Sequence, residues 1–285
     1  MDAVEKALQR ARGEDSRRIV GSSGGKRQAN KFRPTANRAN LVPGHDETGP
    51  ALKVVYEQTR VLPVSESTLR RHRLLAGFHR EPISDTYRML RAQVLKYLSE
   101  HGGSTVAVCS SNAGEGKTVT AINLSISLAL DPNHTALLVD LDLRRPRLQT
   151  YFGIQVEKGL CDYLEGKASL DQCLVNPGID RLVLLPVRRP ILNSSELLSS
   201  SRVTGLLQEL AARYSDRVVL FDLPPLLASD DSLVILPQVD ASLFVVQEGK
   251  THSGEIQRGF NLLSDYRLIG TVLNRSETSN AHPYY

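Results

Sequence analysis

Ser110-Ser111-Asn112-Ala113-Gly114-Glu115-Gly116-Lys117-Thr118 is the stretch whose reading decides the fold. An apolar run over residues 105–110 precedes it and a helical pattern over 117–130 follows it. That is the setting in which a strand passes into a helix through a phosphate-binding loop. Gly114 and Gly116 carry no Cβ, so the backbone amides around them can wrap an anion. The helix N-terminus adds positive potential. Lys117 reaches the β- and γ-phosphates of a nucleotide, and Thr118 offers a hydroxyl to Mg²⁺. The pattern G-x-x-x-x-G-K-[ST] is met except at its first position, where Ser111 stands in place of glycine. The expected nucleotide-binding residues are Asn112, Ala113, Gly114, Glu115, Gly116, Lys117, Thr118 and Val119.

Two further apolar runs end in acids. Leu137-Leu138-Val139-Asp140-Leu141-Asp142 closes on two carboxylates spaced two apart, which a strand places on one face at its carboxyl end. Val218-Val219-Leu220-Phe221-Asp222 closes on one and runs into Pro224-Pro225. Open α/β sheets bind ligands at the carboxyl ends of their strands. A single acid at a strand end is ordinarily a solvated turn residue, but acids on two strands beside a phosphate loop point to a metal. Asp140, Asp142 and Asp222 are therefore candidates for a metal role beside Thr118.

Strands are expected over 105–110, 136–142, 181–186, 217–222, 241–247 and 268–274, and helices over 117–130, 202–214 and 254–265. The strands are apolar throughout, as in a sheet covered on both faces. The expected fold class is α/β, a P-loop NTPase with a mostly parallel central sheet flanked by helices and no internal repeat. Upstream, Ser84 is expected to cap a helix that starts after Pro82, with Tyr87, Leu90, Val94 and Leu98 on one face and Arg88 and Arg91 on its flank.

The first 80 residues differ from the rest. Up to Arg80 there are 16 basic against 8 acidic residues, and beyond it 19 against 23. Residues 13–50 are poor in bulky apolar groups and rich in turn formers, which reads as a largely disordered basic segment. It opens with Ala3, Val4, Ala7, Leu8 and Ala11 at helical spacing, a short amphipathic helix. The expected organisation is 1–80 as N-terminal segment, 81–275 as the P-loop domain and 276–285 as a mobile tail. No stretch approaches the roughly 18 uncharged apolar residues of a membrane span. The start of the chain lacks the apolar core of a signal peptide. Cys109, Cys161 and Cys173 have neither disulfide-framework nor zinc-site spacing and read as buried, reduced thiols.

Together, the phosphate loop, Val139-Asp140-Leu141-Asp142-Leu143-Arg144-Arg145-Pro146 and Phe221-Asp222-Leu223-Pro224-Pro225 resemble the Walker A, A′ and B motifs of the bacterial tyrosine kinases. These are P-loop autokinases of polysaccharide synthesis and export, related in fold to the MinD/ParA ATPases. The resemblance runs from Pro82 to Asn274 and includes Asn193-Ser194-Ser195-Glu196-Leu197-Leu198, similar to the family's N-P-x-E-L-L. The signature lysine of the MinD/ParA group falls at Asn112, so the chain sides with the kinases.

The resemblance implies ATP and Mg²⁺ as cofactors and roles at matching positions. Lys117 binds phosphates, Thr118 binds Mg²⁺, and Asp140 and Asp222 support the metal; Asp142 is the candidate base for a tyrosine hydroxyl, with Asp140 the other possibility. Asn274 matches a position that reads adenine in related ATPases, and is equally readable as a strand-end cap. Asp85, Arg88 and Arg91 match the family's E-x-x-R-x-x-R ring contact, with aspartate shortening the acidic arm. Tyr284 and Tyr285 match its C-terminal tyrosine cluster, reduced to two, and are the expected phosphoacceptors, entering a neighbour's site in a ring. The implied partners are further copies of the chain, a separate membrane chain-length-determinant or polysaccharide co-polymerase protein as activator, and a tyrosine phosphatase. A cytoplasmic location, peripheral at the inner membrane face through that partner, follows from the same resemblance. A MinD/ParA-like ATPase and a nucleotide-sensing scaffold without tyrosine phosphorylation are the alternatives. Nucleic-acid binding is not expected, because no recognition-helix pattern accompanies the basic segment.

Overall fold

The apolar runs around the phosphate loop become strands because both their faces are covered. A computed structural model of the chain describes residues 59–78 and 80–276. Among these, the strands are β1 (Arg60–Val61), β2 (Thr105–Ser110), β3 (Thr135–Asp140), β4 (Val175–Asn176), β5 (Leu182–Leu185), β6 (Arg217–Asp222), β7 (Ala241–Gln247) and β8 (Leu268–Asn274). They form one sheet in the order β1-β4-β5-β3-β6-β2-β7-β8. All neighbours pair parallel except β4 and β5. The long helices are α1 (Pro82–His101), α2 (Lys117–Ala129), α3 (Ser201–Ala212) and α4 (Ser253–Leu263).

Alternate residues of each central strand feed two cores. Leu137 and Val139 of β3, with Ala107, Val219, Phe221 and Phe244, pack under α3 and α4. Ala136 and Leu138, with Val106, Val108 and Leu220, pack under α1 and α2. Each central strand is thus mostly apolar along its length while obeying a period of two. The helix α2 is buried nearly all round, and its Asn123, Ser125 and Ser127 side chains find partners. Asn123 accepts from the amides of Leu75 and Ala76 (2.8 and 3.0 Å) and donates to the carbonyls of Arg73 and Val119.

That asparagine clamp corrects the expected boundary at 80/81. Leu74 and Ala76 are fully buried in the α1–α2 core, and β1 pairs with β4. The folded body therefore includes described residues before Arg80; short connections hold that segment through backbone hydrogen bonds, which leave no apolar periodicity to read. Ser84 is not a cap. The helix α1 begins at Pro82 behind Glu81, since proline at the first helical position supplies the required φ. Ser84 Oγ is buried and donates to the Ala76 carbonyl at 2.9 Å. The strand β3 stops at Asp140, two residues before the expected end.

Cys109, Cys161 and Cys173 are free and buried. No described helix is long and apolar enough to cross a membrane. The expected helix near Ala3–Ala11, residues 13–50, and Tyr284 and Tyr285 lie outside the described residues.

Candidate nucleotide and phosphoryl-transfer site

The phosphate loop joins the carboxyl end of β2 to the N-terminus of α2. Gly114 and Gly116 take φ of +84° and +96°, left-handed values that cost a side chain strain. At Gly116 the space is closed as well, since a Cβ would overlap the Asn274 side-chain amide. Asn274 Nδ2 donates to the Glu115 carbonyl at 2.8 Å, and its Oδ1 accepts from the Arg275 amide at 2.9 Å. Asn274 thus holds the loop and caps the end of β8 in this structure. Glu115, 1% exposed, points inward. Its carboxylate accepts from the Asn112 amide (3.0 Å), from Asn112 Nδ2 (3.3 Å) and from Thr251 Oγ1 (2.8 Å). The loop is therefore shaped before any ligand arrives.

Lys117 and Thr118 meet the acids of the neighbouring strand ends. Lys117 Nζ lies 3.2 Å from Asp222 Oδ1 and 3.3 Å from Asp142 Oδ2. Thr118 Oγ1 donates to Asp222 Oδ2 at 2.6 Å. Burial opposes the Lys117 charge, but Asp222, Asp142 and Asp140 outweigh it and hold its pKa above the ordinary lysine range. Burial pushes the Asp222 carboxyl upward, against the pull of Lys117 and Thr118. Burial, reinforced by Asp222, pushes Asp140 up to about 7.

Asp140 has different partners. Its carboxylate accepts from the amides of Asp142 (3.2 Å), Arg147 (3.0 Å) and Leu148 (3.2 Å). It bends the chain at the end of β3, so Asp142 leaves the strand and turns toward Lys117. The shared strand face expected for the two acids is replaced by a turn. Thr118 and Asp222, two buried oxygen donors 2.6 Å apart, are then the groups that could contact a metal directly. Such a pair suits Mg²⁺, which takes one or two protein oxygens and completes its shell with phosphate and water. Among the described residues there is no group of three or more His, Cys, Asp or Glu that could hold a metal alone.

Some residues at the site were not legible beforehand. Arg144 Nε donates to Ser194 Oγ (2.7 Å) and to Asp231 Oδ2 (3.2 Å), and Ser195 also bonds to Asp231. Asp231 is fully buried. This network ties the loop carrying Asp142 to the stretch resembling N-P-x-E-L-L and to the segment after β6. A motif resemblance marked Ser194 and Ser195, but no local signal marked Asp231 or Thr251. The expected ring-contact residues are engaged within the chain. Arg88 pairs with Asp85, and Arg91 Nη1 donates to the Ser127 carbonyl at 2.7 Å.

Comparisons with known proteins agree with this geometry. The family model described as the CobQ/CobB/MinD/ParA nucleotide binding domain matches residues 106–284. The tyrosine-protein kinase YwqD of Bacillus subtilis is 30% identical over 203 residues, covering 70% of this chain and 84% of YwqD. The succinoglycan biosynthesis transport protein ExoP of Rhizobium meliloti is 27% identical over 220 residues, covering 75% of this chain but 28% of ExoP. The crystal structure of the VpsO kinase domain superposes with a TM-score of 0.58 at 32% identity, covering 69% of this chain and all of that one. With its phosphate loop, its two acid-ended strands and these relatives, the chain belongs to the bacterial tyrosine kinase family, within the CobQ/CobB/MinD/ParA group of nucleotide-binding domains.

Proposed function

We propose that the chain is an ATP-dependent protein-tyrosine autokinase that regulates exopolysaccharide polymerisation or export. The observation that carries the reading is the contact of Lys117 with both Asp142 and Asp222. It supports the reading by bringing the Lys117 ammonium and the Asp142 and Asp222 carboxylates together in one buried cluster. Two carboxylates contact one ammonium there, so the cluster favours an added cation.

ATP with Mg²⁺ would supply the transferable γ-phosphoryl group and neutralise its charge, held by the loop amides, Thr118 and Asp222. Lys117 exchanges its carboxylate partners for phosphate oxygens. That exchange frees Asp142 to accept the hydroxyl proton of an entering tyrosine. The tyrosine oxygen forms the new bond to phosphorus as the bridging bond to the leaving ADP breaks. Asp140 keeps the Asp142 turn in place. Positioning and charge neutralisation carry such a reaction, and both are built from buried groups.

Tyr284 and Tyr285 are the proposed acceptors, entering the site of a neighbouring copy in a ring. Helix α1 offers the contact surface: Ile83 is 41% and Met89 64% exposed on the helix that carries Asp85 and Arg88. Each phosphate brings nearly two negative charges to the gathered tails and so weakens the ring. A membrane-bound polysaccharide co-polymerase as activator, a tyrosine phosphatase as antagonist, and a cytoplasmic, membrane-peripheral location complete the proposal. The polysaccharide part of the reading is supported by likeness to ExoP, a succinoglycan biosynthesis transport protein.

Phosphopeptide mapping tests the reading. The wild-type chain with Mg-ATP gains phosphate on Tyr284 or Tyr285, and Lys117→Met loses it by at least about a hundredfold. Persistence of the mark in Lys117→Met would overturn the proposal. ATP turnover with unmodified tyrosines would favour a MinD/ParA-like ATPase. Against that alternative, the Asn112 side chain is folded onto Glu115 where that group places a lysine.

A further inference from the structure

The segment Gln247-Glu248-Gly249-Lys250-Thr251-His252 leads from β7 into α4 and lies against the phosphate loop. Thr251 fastens the two together: its hydroxyl donates to the buried Glu115 carboxylate at 2.8 Å and accepts from the Gln247 amide at 3.0 Å. Gly249, at φ +69°, turns the chain just before Lys250. The Lys250 ammonium is carried over Gly114, where a Cβ built on the glycine would stand 3.4 Å from Nζ. Lys250 is exposed, and its ammonium has no ion-pair partner among the described residues.

An unpaired ammonium above a left-handed glycine of a phosphate loop faces the place where the loop amides converge on an anion. Within the phosphate loop itself Lys117 is the one cation. Lys117 is matched against Asp142 and Asp222, and position 112 holds an asparagine whose amide is turned onto Glu115. Negative charge that builds on phosphate oxygens is best met by cations fixed in advance. We propose that Lys250 is a second phosphate-binding cation of the nucleotide site, contacting bound polyphosphate across Gly114 and held in register by the Thr251–Glu115 bond. The inference rests on the nucleotide site of the proposed kinase, and its binding part stands independently of tyrosine transfer.

The test is calorimetric titration of the full chain with Mg-ATPγS over a series of salt concentrations, for wild type, Lys250→Met and Lys250→Arg. Lys250→Met weakens binding about tenfold, or 1.4 kcal/mol, the scale of one hydrogen bond to a charged group. It also flattens the salt dependence, because one fewer charge engages the phosphates. Lys250→Arg restores most of the affinity and the salt slope. All three proteins melt at the same temperature, since the side chain is exposed. Unchanged affinity in Lys250→Met, or an equal loss in Lys250→Arg, overturns the proposal. If wild type binds as expected yet phosphorylates no tyrosine, the kinase reading fails while the role of Lys250 stands.

Discussion

The carboxyl ends of β3 and β6 lie side by side, with Asp140 and Asp222 as register partners, yet the two acids work differently. Asp222 points across to the phosphate loop and is bonded to Thr118 and Lys117. Asp140 turns back on its own chain and gathers three backbone amides. One acid is placed to handle ligands, and the other shapes the loop that presents Asp142. Equal position on neighbouring strands therefore does not mean equal chemistry. The residues just beyond each strand make the difference. After Asp222 the chain continues into Leu223-Pro224-Pro225, and prolines have no amide hydrogen to offer the carboxylate. After Asp140 the amides of residues 142, 147 and 148 are free to converge on it.

Substitutions can break this comparison. The largest effect is expected from Asp222→Asn, which removes a charged metal ligand: Mg²⁺ affinity measured by nucleotide-dependent titration falls about 10- to 100-fold, and phosphotransfer falls with it. The melting temperature changes little, because the amide can still bond to Thr118. Asp140→Asn should behave the other way. One amide oxygen cannot replace a carboxylate that accepts three hydrogen bonds, so denaturant unfolding shows a loss of about 1–3 kcal/mol. Mg²⁺ affinity stays within a few-fold of wild type. Equal losses of metal affinity in the two variants would erase the distinction between the acids.

Asp162 sharpens the comparison from outside the site. It is 2% exposed, accepts two bonds from Arg188 at 2.8 and 2.9 Å, and accepts the Gly159 amide at 3.0 Å. The Arg188 bonds hold its carboxyl well below the usual range, although burial pushes the other way. A depressed folded pKa contributes stability that is full above the unfolded value, near 4, and is lost as pH falls through the folded one. Wild type therefore loses stability on acidification below about pH 4, and Asp162→Asn loses less over that interval. At neutral pH the variant is weaker by about 1 kcal/mol, the smallest of these effects, because water reaches Arg188. A parallel acid limb in denaturation of both proteins would show that the ion pair contributes nothing.

The sequence by itself determined six of the eight described strands and the identity of the phosphate loop, while the two-residue strands β1 and β4 went unread. The reason is local: a continuous apolar strand, two glycines and a lysine-threonine pair at a helix start are contiguous in the chain. That Lys117, Thr118, Asp142 and Asp222 lie near one another was suggested by motifs: Lys117 and Thr118 open α2, Asp222 closes β6, and Asp142 stands two residues past β3. The ends of elements were less legible, as Ser84 and the early stop of β3 show, because distant hydrogen bonds set them. Only the tertiary structure decided that Asp140 shapes a turn, that Asn274 holds the phosphate loop, and that Asn123 draws residues 73–76 into the body. It alone placed Thr251 on Glu115 and Lys250 over Gly114. Those pairings span more than a hundred residues of chain, and a partner so far away is chosen by how the sheet orders its strands, which no local pattern encodes.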